Sequence, residues 1–336
     1  MLAGMSPIEV VPFGTEHLDA AATLLAERQA RLRAARPELP ATFTDPAACR
    51  PLLQALLERE GAHGVVGLAK GSPVGYLLGH ARLEPIWGRA CWSPIEGHAL
   101  DSALDVEAVR DLYAVWSEHF VRLGFYRHYV HAAADDPDLT AAWFRTGFGA
   151  MQAHAVLDLD LPPAMRAWSD GMVVRRAVPD DLELIDDLLP LIGDALVRSP
   201  AYAIQTPERH ASLRADWAQE LAEPEARHWL VQEDGTALAF ATFYPADPGP
   251  MVPEGACELA VAMTRPEARG RGLMRALLGA GFDEARAAGA RHCITDWRTA
   301  SLPTHRSWTA LGFRPSHFRL HRQIDERIAW ADGRRA

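Results

Sequence analysis

The chain has 336 residues, of which 49% are hydrophobic and 23% charged, and a formal net charge of -10. That length favours two globular domains, and the acidic balance excludes a nucleic-acid surface, which would need a basic stripe. No apolar run approaches the ~18 residues of a membrane span, and residues 1–7 carry no basic-then-apolar leader, so a cytoplasmic protein with no membrane partner is expected.

From the N-terminus, Ile8-Glu-Val-Val-Pro12 reads as a strand and residues 18–32 as a helix. A second helical pattern covers 106–123, with Val109, Leu112, Tyr113, Trp116, Phe120 and Leu123 on one face. Asp105 stands at its N-cap and Glu107 in its first turn. A strand at 126–132 precedes Trp143-Phe-Arg-Thr-Gly-Phe148, and the prolines and glycine of 161–171 suit a linker. The order then recurs: a strand at Val173-Val-Arg-Arg-Ala177, a helix over 182–196, strands at 258–264 and 292–296, and Trp308-Thr-Ala-Leu-Gly-Phe313. Both motifs read W-x-x-x-G-F. Two copies of a mixed α/β domain are therefore expected, over 6–160 and 172–326, joined by linker 161–171. Cys49, Cys91, Cys257 and Cys293 show no C-x-x-C spacing and read as reduced thiols. The 14 histidines include no H-E-x-x-H. His128 and His131, an odd distance apart on a strand, face opposite sides, so no metal is expected.

One feature belongs to the second copy alone. Arg269-Gly270-Arg271-Gly272 joins strand 258–264 to a helix whose Met274, Leu277, Leu278, Gly281, Phe282 and Ala285 share a face. Glycines without a Cβ allow a ligand close to the backbone. The unpaired N–H groups and dipole of a helix start favour an anion there, and Arg269, Arg271 and Arg275 add positive charge. A phosphate-bearing ligand is expected. It is not held by a Walker loop, since G-x-x-x-x-G-K-[ST] is missing, nor by a dinucleotide fingerprint, since Arg275 stands where a third Gly is required. The first copy has Asp101, Asp105 and Glu107 at the corresponding place. At roughly 4 kcal/mol per unit pair near contact, before screening, that reversal of charge excludes the same ligand there.

Residues 256–278 resemble motif A of the GCN5-related N-acetyltransferases (GNAT), in which [QR]-x-x-G-x-[GA] wraps the pyrophosphate of acetyl-coenzyme A. Arg269, Gly272 and Met274 take its key positions, with Met274 replacing the usual Gly or Ala. The segment from Val173 to Asp181 is similar to the family's first strand and helix start, and Trp308 to Phe313 to its final helix and turn. The resemblance implies two tandem GNAT-like domains of mixed α+β class, each a mostly antiparallel mixed sheet flanked by helices. The first would be a degenerate copy, an arrangement similar to that of mycothiol synthase.

The resemblance further implies acetyl-coenzyme A as co-substrate and no metal. The cofactor would lie along Ala262, Met263, Thr264, Arg269, Gly270, Arg271, Gly272, Leu273, Met274 and Arg275, with a backbone N–H of 262–264 receiving the oxyanion. Glu258 matches the family's base, acting directly or through water, and Ser301 stands at its usual Asn position. Trp308 replaces the usual Tyr, and an indole N–H cannot protonate a thiolate. That task falls to Ser301, Ser307, His305 or water. The acceptor would meet Tyr202, within the rigid segment 198–207, and Asp296. The implied activity is acetyl transfer to the primary amine of a small molecule by direct attack in a ternary complex. A protein or peptide acceptor and a non-catalytic acyl-coenzyme A sensor are the alternatives, and a monomer or a homodimer fits either.

Overall fold

The computed structural model describes residues 8–160 and 171–331. The expected linker lies outside the described residues except for Gly171. In chain order the elements are β1 (Glu9–Pro12), α1 (Leu18–Ala35), α2 (Pro46–Leu57), β2 (Ala62–Ala69), β3 (Ser72–Glu84), β4 (Gly88–Ser93), β5 (His98–Leu100), α3 (Ala108–Arg122), β6 (Arg127–Ala133), α4 (Pro137–Arg145) and β7 (Gly149–Asp158). There follow β8 (Met172–Arg176), α5 (Leu182–Ile185), α6 (Leu191–Val197), α7 (Pro207–Glu220), β9 (Arg227–Glu233) and β10 (Thr236–Pro245). The chain continues through β11 (Cys257–Thr264), α8 (Leu273–Ala287), β12 (His292–Arg298), α9 (Leu302–Ala310), β13 (Arg314–Gln323) and α10 (Ile328–Ala331). No described helix is long and apolar enough to cross a membrane.

Contacts divide the chain into two compact units whose composition differs from the linear halves 6–160 and 172–326. The first runs to Gln152 and takes in Gly249–Met251 and the chain from Ser316; the second holds Ala153–Pro248 and Val252–Pro315. Strand pairing is the reason. β13, late in the sequence, pairs with β6 in the first unit, Phe318 opposite Ala132 and Leu320 opposite Val130. The end of β7 lies beside β12 in the second. The Gly249–Met251 segment joins the first unit where buried Gln29 donates through Nε2 to Pro250 O, 3.0 Å away.

In the first unit the sheet order is β1-β2-β3-β4-β6-β13, with β5 on β3 and a parallel pairing of β4 with β6. The 3.6-residue spacing of α3 buries Val109, Leu112, Tyr113, Trp116 and Phe120 against Val65, Leu77, Cys91, Val130 and Leu320. Leu123, expected on that face, is exposed because the helix ends at Arg122. In the second unit the order is β7-β12-β11-β10-β9-β8, antiparallel from β11 to β8, with β11 and β12 parallel. Leu230, Ala237, Phe240 and Met263 form the core there with Ile185 and Leu188. On α8, a Cβ on Gly281 would run into the Phe243 ring, so only glycine lets the helix approach β10 this closely. The expected helix over 182–196 is broken into α5, a 3-10 turn at Asp186–Leu188, and α6. Pro190 has no N–H to continue it and its ring crowds the preceding turn.

The two W-x-x-x-G-F motifs build the same device. Trp143 and Phe148 meet edge to face at 5.2 Å, Trp308 and Phe313 at 5.7 Å. In each, the Phe N–H donates to the Trp carbonyl, across a glycine with φ of +88° at Gly147 and +99° at Gly312. Trp143 is fully buried and Trp308 nearly so, which assigns both indoles to packing. Trp143→Ala and Trp308→Ala are each expected to cost about 3–5 kcal/mol, with a smaller loss for Phe. Urea denaturation measures this; unmoved midpoints would contradict the packing role.

Candidate functional site

The site of the second unit begins at a defect in its sheet. The β10–β11 register shifts between Thr242 and Phe243, which pair with Val261 and Leu259 and leave Ala260 as a bulge. Pairing of β11 with β12 is confined to Cys257 with Cys293 and Glu258 with Ile294. Thr295 Oγ1 then donates to Leu259 O at 2.9 Å, and beyond it the strands part. Bulges of this kind bend a strand and end its pairing. Arg265 N donates to Leu238 O on β10. By the alternation of an extended strand, Met263 and Val261 also face β10, and Ala262 and Thr264 turn their backbone groups to the open edge. Met263 is thereby taken out of the expected ligand contacts: its side chain is core and its backbone faces a paired strand.

After β11 the chain turns through Gly270 (φ +77°) and Gly272 (φ +82°) into α8, which has no acidic residue in its first turn. Residues with a Cβ disfavour this left-handed backbone. Among the described residues, no hydrogen bond is donated by the backbone N–H groups of Gly270, Arg271, Gly272, Leu273, Met274 or Arg275. The last four are the orphan donors of a helix start. Met274 contributes its N–H regardless of its side chain. Among the described residues Arg269 and Arg275 bond only to carbonyls, Thr264 O and Ala310 O, each at 3.4 Å. Arg271 differs from expectation. Its guanidinium forks onto Glu233 at 2.6 and 3.0 Å, and so, among the described residues, the turn brings two arginines without a carboxylate partner rather than three.

The first unit's corresponding turn is closed by its own side chains. Asp101 Oδ1 accepts from Ala103 N at 2.8 Å and Asp105 Oδ1 from Glu107 N at 3.0 Å. The N–H groups of Leu104, Ala108, Val109 and Arg110 bond to nearby carbonyls. Glu107 pairs with Arg110 at 2.9 Å and with Arg145, so its charge is answered locally. Asp105 caps this turn, one step before the helix proper, rather than α3 itself. The donors of this turn are thus occupied from within, in addition to the reversal of charge read from the sequence.

Glu258 is half-buried, and its carboxyl is held above the usual range by burial and by the charges of Asp296 and Asp247. Asp247, which sequence reasoning missed, comes from the β10–β11 connection. Asp296 is exposed, with His154 Nδ1 4.0 Å from it. Three carboxylates from distant positions thus converge beside the strand opening. Ser301 stands at the N-cap position of α9 without a side-chain bond to its backbone N–H groups, its Oγ lying 2.7 Å from Thr304 Oγ1. Tyr202 lines no closed pocket: it is 73% exposed and takes φ +45°, a backbone rarely adopted by a residue with a side chain. Among the described residues no group of three or more His, Cys, Asp or Glu is placed to hold a metal. Gly272→Ala is expected to destabilise the second unit by roughly 1–2 kcal/mol through its left-handed backbone. A denaturation curve that does not move would contradict the cap geometry.

Residues 194–313 match the model of the acetyltransferase (GNAT) family. No curated protein matches the sequence. Among solved structures, the GCN5-related N-acetyltransferase of Sphaerobacter thermophilus is similar at 16% identity and a TM-score of 0.59, over 95% of this chain and 96% of that one. A tandem GNAT protein from the clavulanic acid biosynthesis pathway is similar at 15% identity and a TM-score of 0.54, over 95% of this chain and 98% of that one. A glucosamine N-acetyltransferase region of a fungal multi-domain β-N-acetylglucosaminidase follows at 11% identity and 0.52, over 95% of this chain and 38% of that one. These likenesses establish the fold. The chain has the GNAT fold, and the match of its residues 194–313 to the acetyltransferase (GNAT) family model supports acyl transfer.

Proposed function

We propose that the second unit transfers the acetyl group of acetyl-coenzyme A to the primary amine of a small molecule, in a ternary complex. The observation that carries this reading is the row of free backbone donors from Gly270 to Arg275, flanked by Arg269 and Arg275. Such a row suits a pyrophosphate, whose oxygens accept several N–H bonds at once. The thioester arm would enter between the parted ends of β11 and β12.

An ammonium acceptor has no lone pair and must lose a proton before attack. Asp296 and Asp247 attract the cation and raise the basicity of Glu258, which takes that proton directly or through water. The amine nitrogen then bonds to the thioester carbonyl carbon. The resulting oxyanion accepts a hydrogen bond from the open edge of β11, from the N–H of Ala262 or Thr264. Collapse breaks the C–S bond, and the proton still on the attacking nitrogen passes to the departing thiolate through water or by relay through the Ser301 hydroxyl, leaving the neutral amide and the free thiol. A peptide amine is the second reading. It draws on the exposure of Tyr202 and Ile204, which leaves the acceptor side open.

The sign of the pH dependence follows from Glu258. A base must be deprotonated to act, and its raised pKa puts the acid limb of kcat/KM above the ordinary carboxylate range. Asp296→Asn removes one charge that raises it, and is expected to move the limb to lower pH. Glu258→Gln is expected to lower kcat/KM and abolish the limb with little effect on cofactor affinity. Both are read by release of free thiol. An unaltered pH profile in both variants would remove Glu258 as the base.

A further inference from the structure

Cys257 and Cys293, 36 residues apart in sequence, are register partners on adjacent parallel strands. They form one of the two rungs that hold β11 to β12 before the strands part, and the other rung is Glu258 with Ile294. Neighbouring strands lie ~4.8 Å apart, inside the ~4.4–6.8 Å range of Cα separations that a disulfide spans. The neighbouring Cys293 side chain holds Cys257 below the usual thiol range, while burial raises Cys293, whose Sγ donates to Ile294 O at 3.5 Å. The other two cysteines have different settings: Cys49 bonds to Phe43 O at 3.2 Å, and Cys91 lies in the first unit's core.

We propose that Cys257 and Cys293 are a redox modification site, closed to a reversible disulfide by hydroperoxide at the foot of the strand opening. Cys257, the less buried of the pair, reacts first. Its thiolate sulfur bonds to one peroxide oxygen as the O–O bond breaks, giving a sulfenic acid, and the departing hydroxide leaves as water. The Cys293 sulfur then attacks that sulfenic sulfur and expels the second hydroxide, which carries away the Cys293 proton as water. Two thiols and one hydrogen peroxide become one disulfide and two waters. The disulfide ties β11 and β12 covalently one residue from Glu258 and so restrains the strand opening beside it. Turnover falls in proportion to the fraction bridged, and a dithiol restores it.

The turnover arm rests on the acyltransfer reading; the chemical arm does not. The full chain is treated with hydrogen peroxide, unfolded under non-reducing conditions, titrated for free thiols and digested for peptide mass measurement. Two of the four thiols are expected to disappear, with one cross-linked peptide pair containing Cys257 and Cys293, lighter by two hydrogens than the separate peptides. Cys257→Ser and Cys293→Ala should each prevent that pair from forming. Four persisting thiols, oxidation confined to one cysteine, or the same thiol loss in both variants would overturn the site. A bridged protein that turns over as fast as the reduced one would overturn its consequence, whatever the acceptor.

Discussion

A helix start that leaves its donors free is the constraint on which the second unit's site depends. Gly270 and Gly272 both adopt positive φ, so the chain enters α8 with successive N–H groups turned away from any internal acceptor. Leaving such groups unpaired costs free energy unless water or a ligand bonds them. The neighbouring charges act in the same direction. Arginines at a helix N-terminus oppose the dipole, and an anion between them relieves both the unpaired donors and the repulsion. The sheet defect at Ala260 then opens the adjoining strand edge close to Glu258.

The first unit shows what the same local frame becomes when those donors are satisfied from within. Asp101 and Asp105 fold back onto N–H groups two residues on, the Asx arrangement. Glu107 is held between two arginines. The W-x-x-x-G-F device is equally well packed in both units. What differs is the chemistry at the helix start, not the core. A core motif can therefore recur unchanged while the backbone donors beside it are free in one unit and occupied in the other.

Local chemistry was legible in the sequence. The glycine pair, the basic turn, the buried stripe of α3 and the two Trp motifs follow from spacings of a few residues, and they stand where spacing puts them. Pairing at long range was not. Nothing near β13 in sequence marks it as a partner of β6. The convergence of Asp247 and Asp296 on Glu258 likewise depends on three separated segments. Arg271 shows the same limit on a smaller scale: its charge is evident, but its carboxylate partner comes from β9, 38 residues away. One signal was available and unused. Asp101-Ser-Ala and Asp105-Val-Glu are patterns in which an Asp side chain reaches the N–H two residues ahead, so the closed turn of the first unit could have been read before its geometry.

Isothermal titration of the full chain with acetyl-coenzyme A tests the central claim, that free donors in the second unit make the binding site and filled donors in the first prevent one. The account predicts one equivalent bound, with binding lost when Gly270 and Gly272 are both changed to Val in a chain that still folds. Two equivalent sites, or an unchanged affinity in that folded variant, would contradict it.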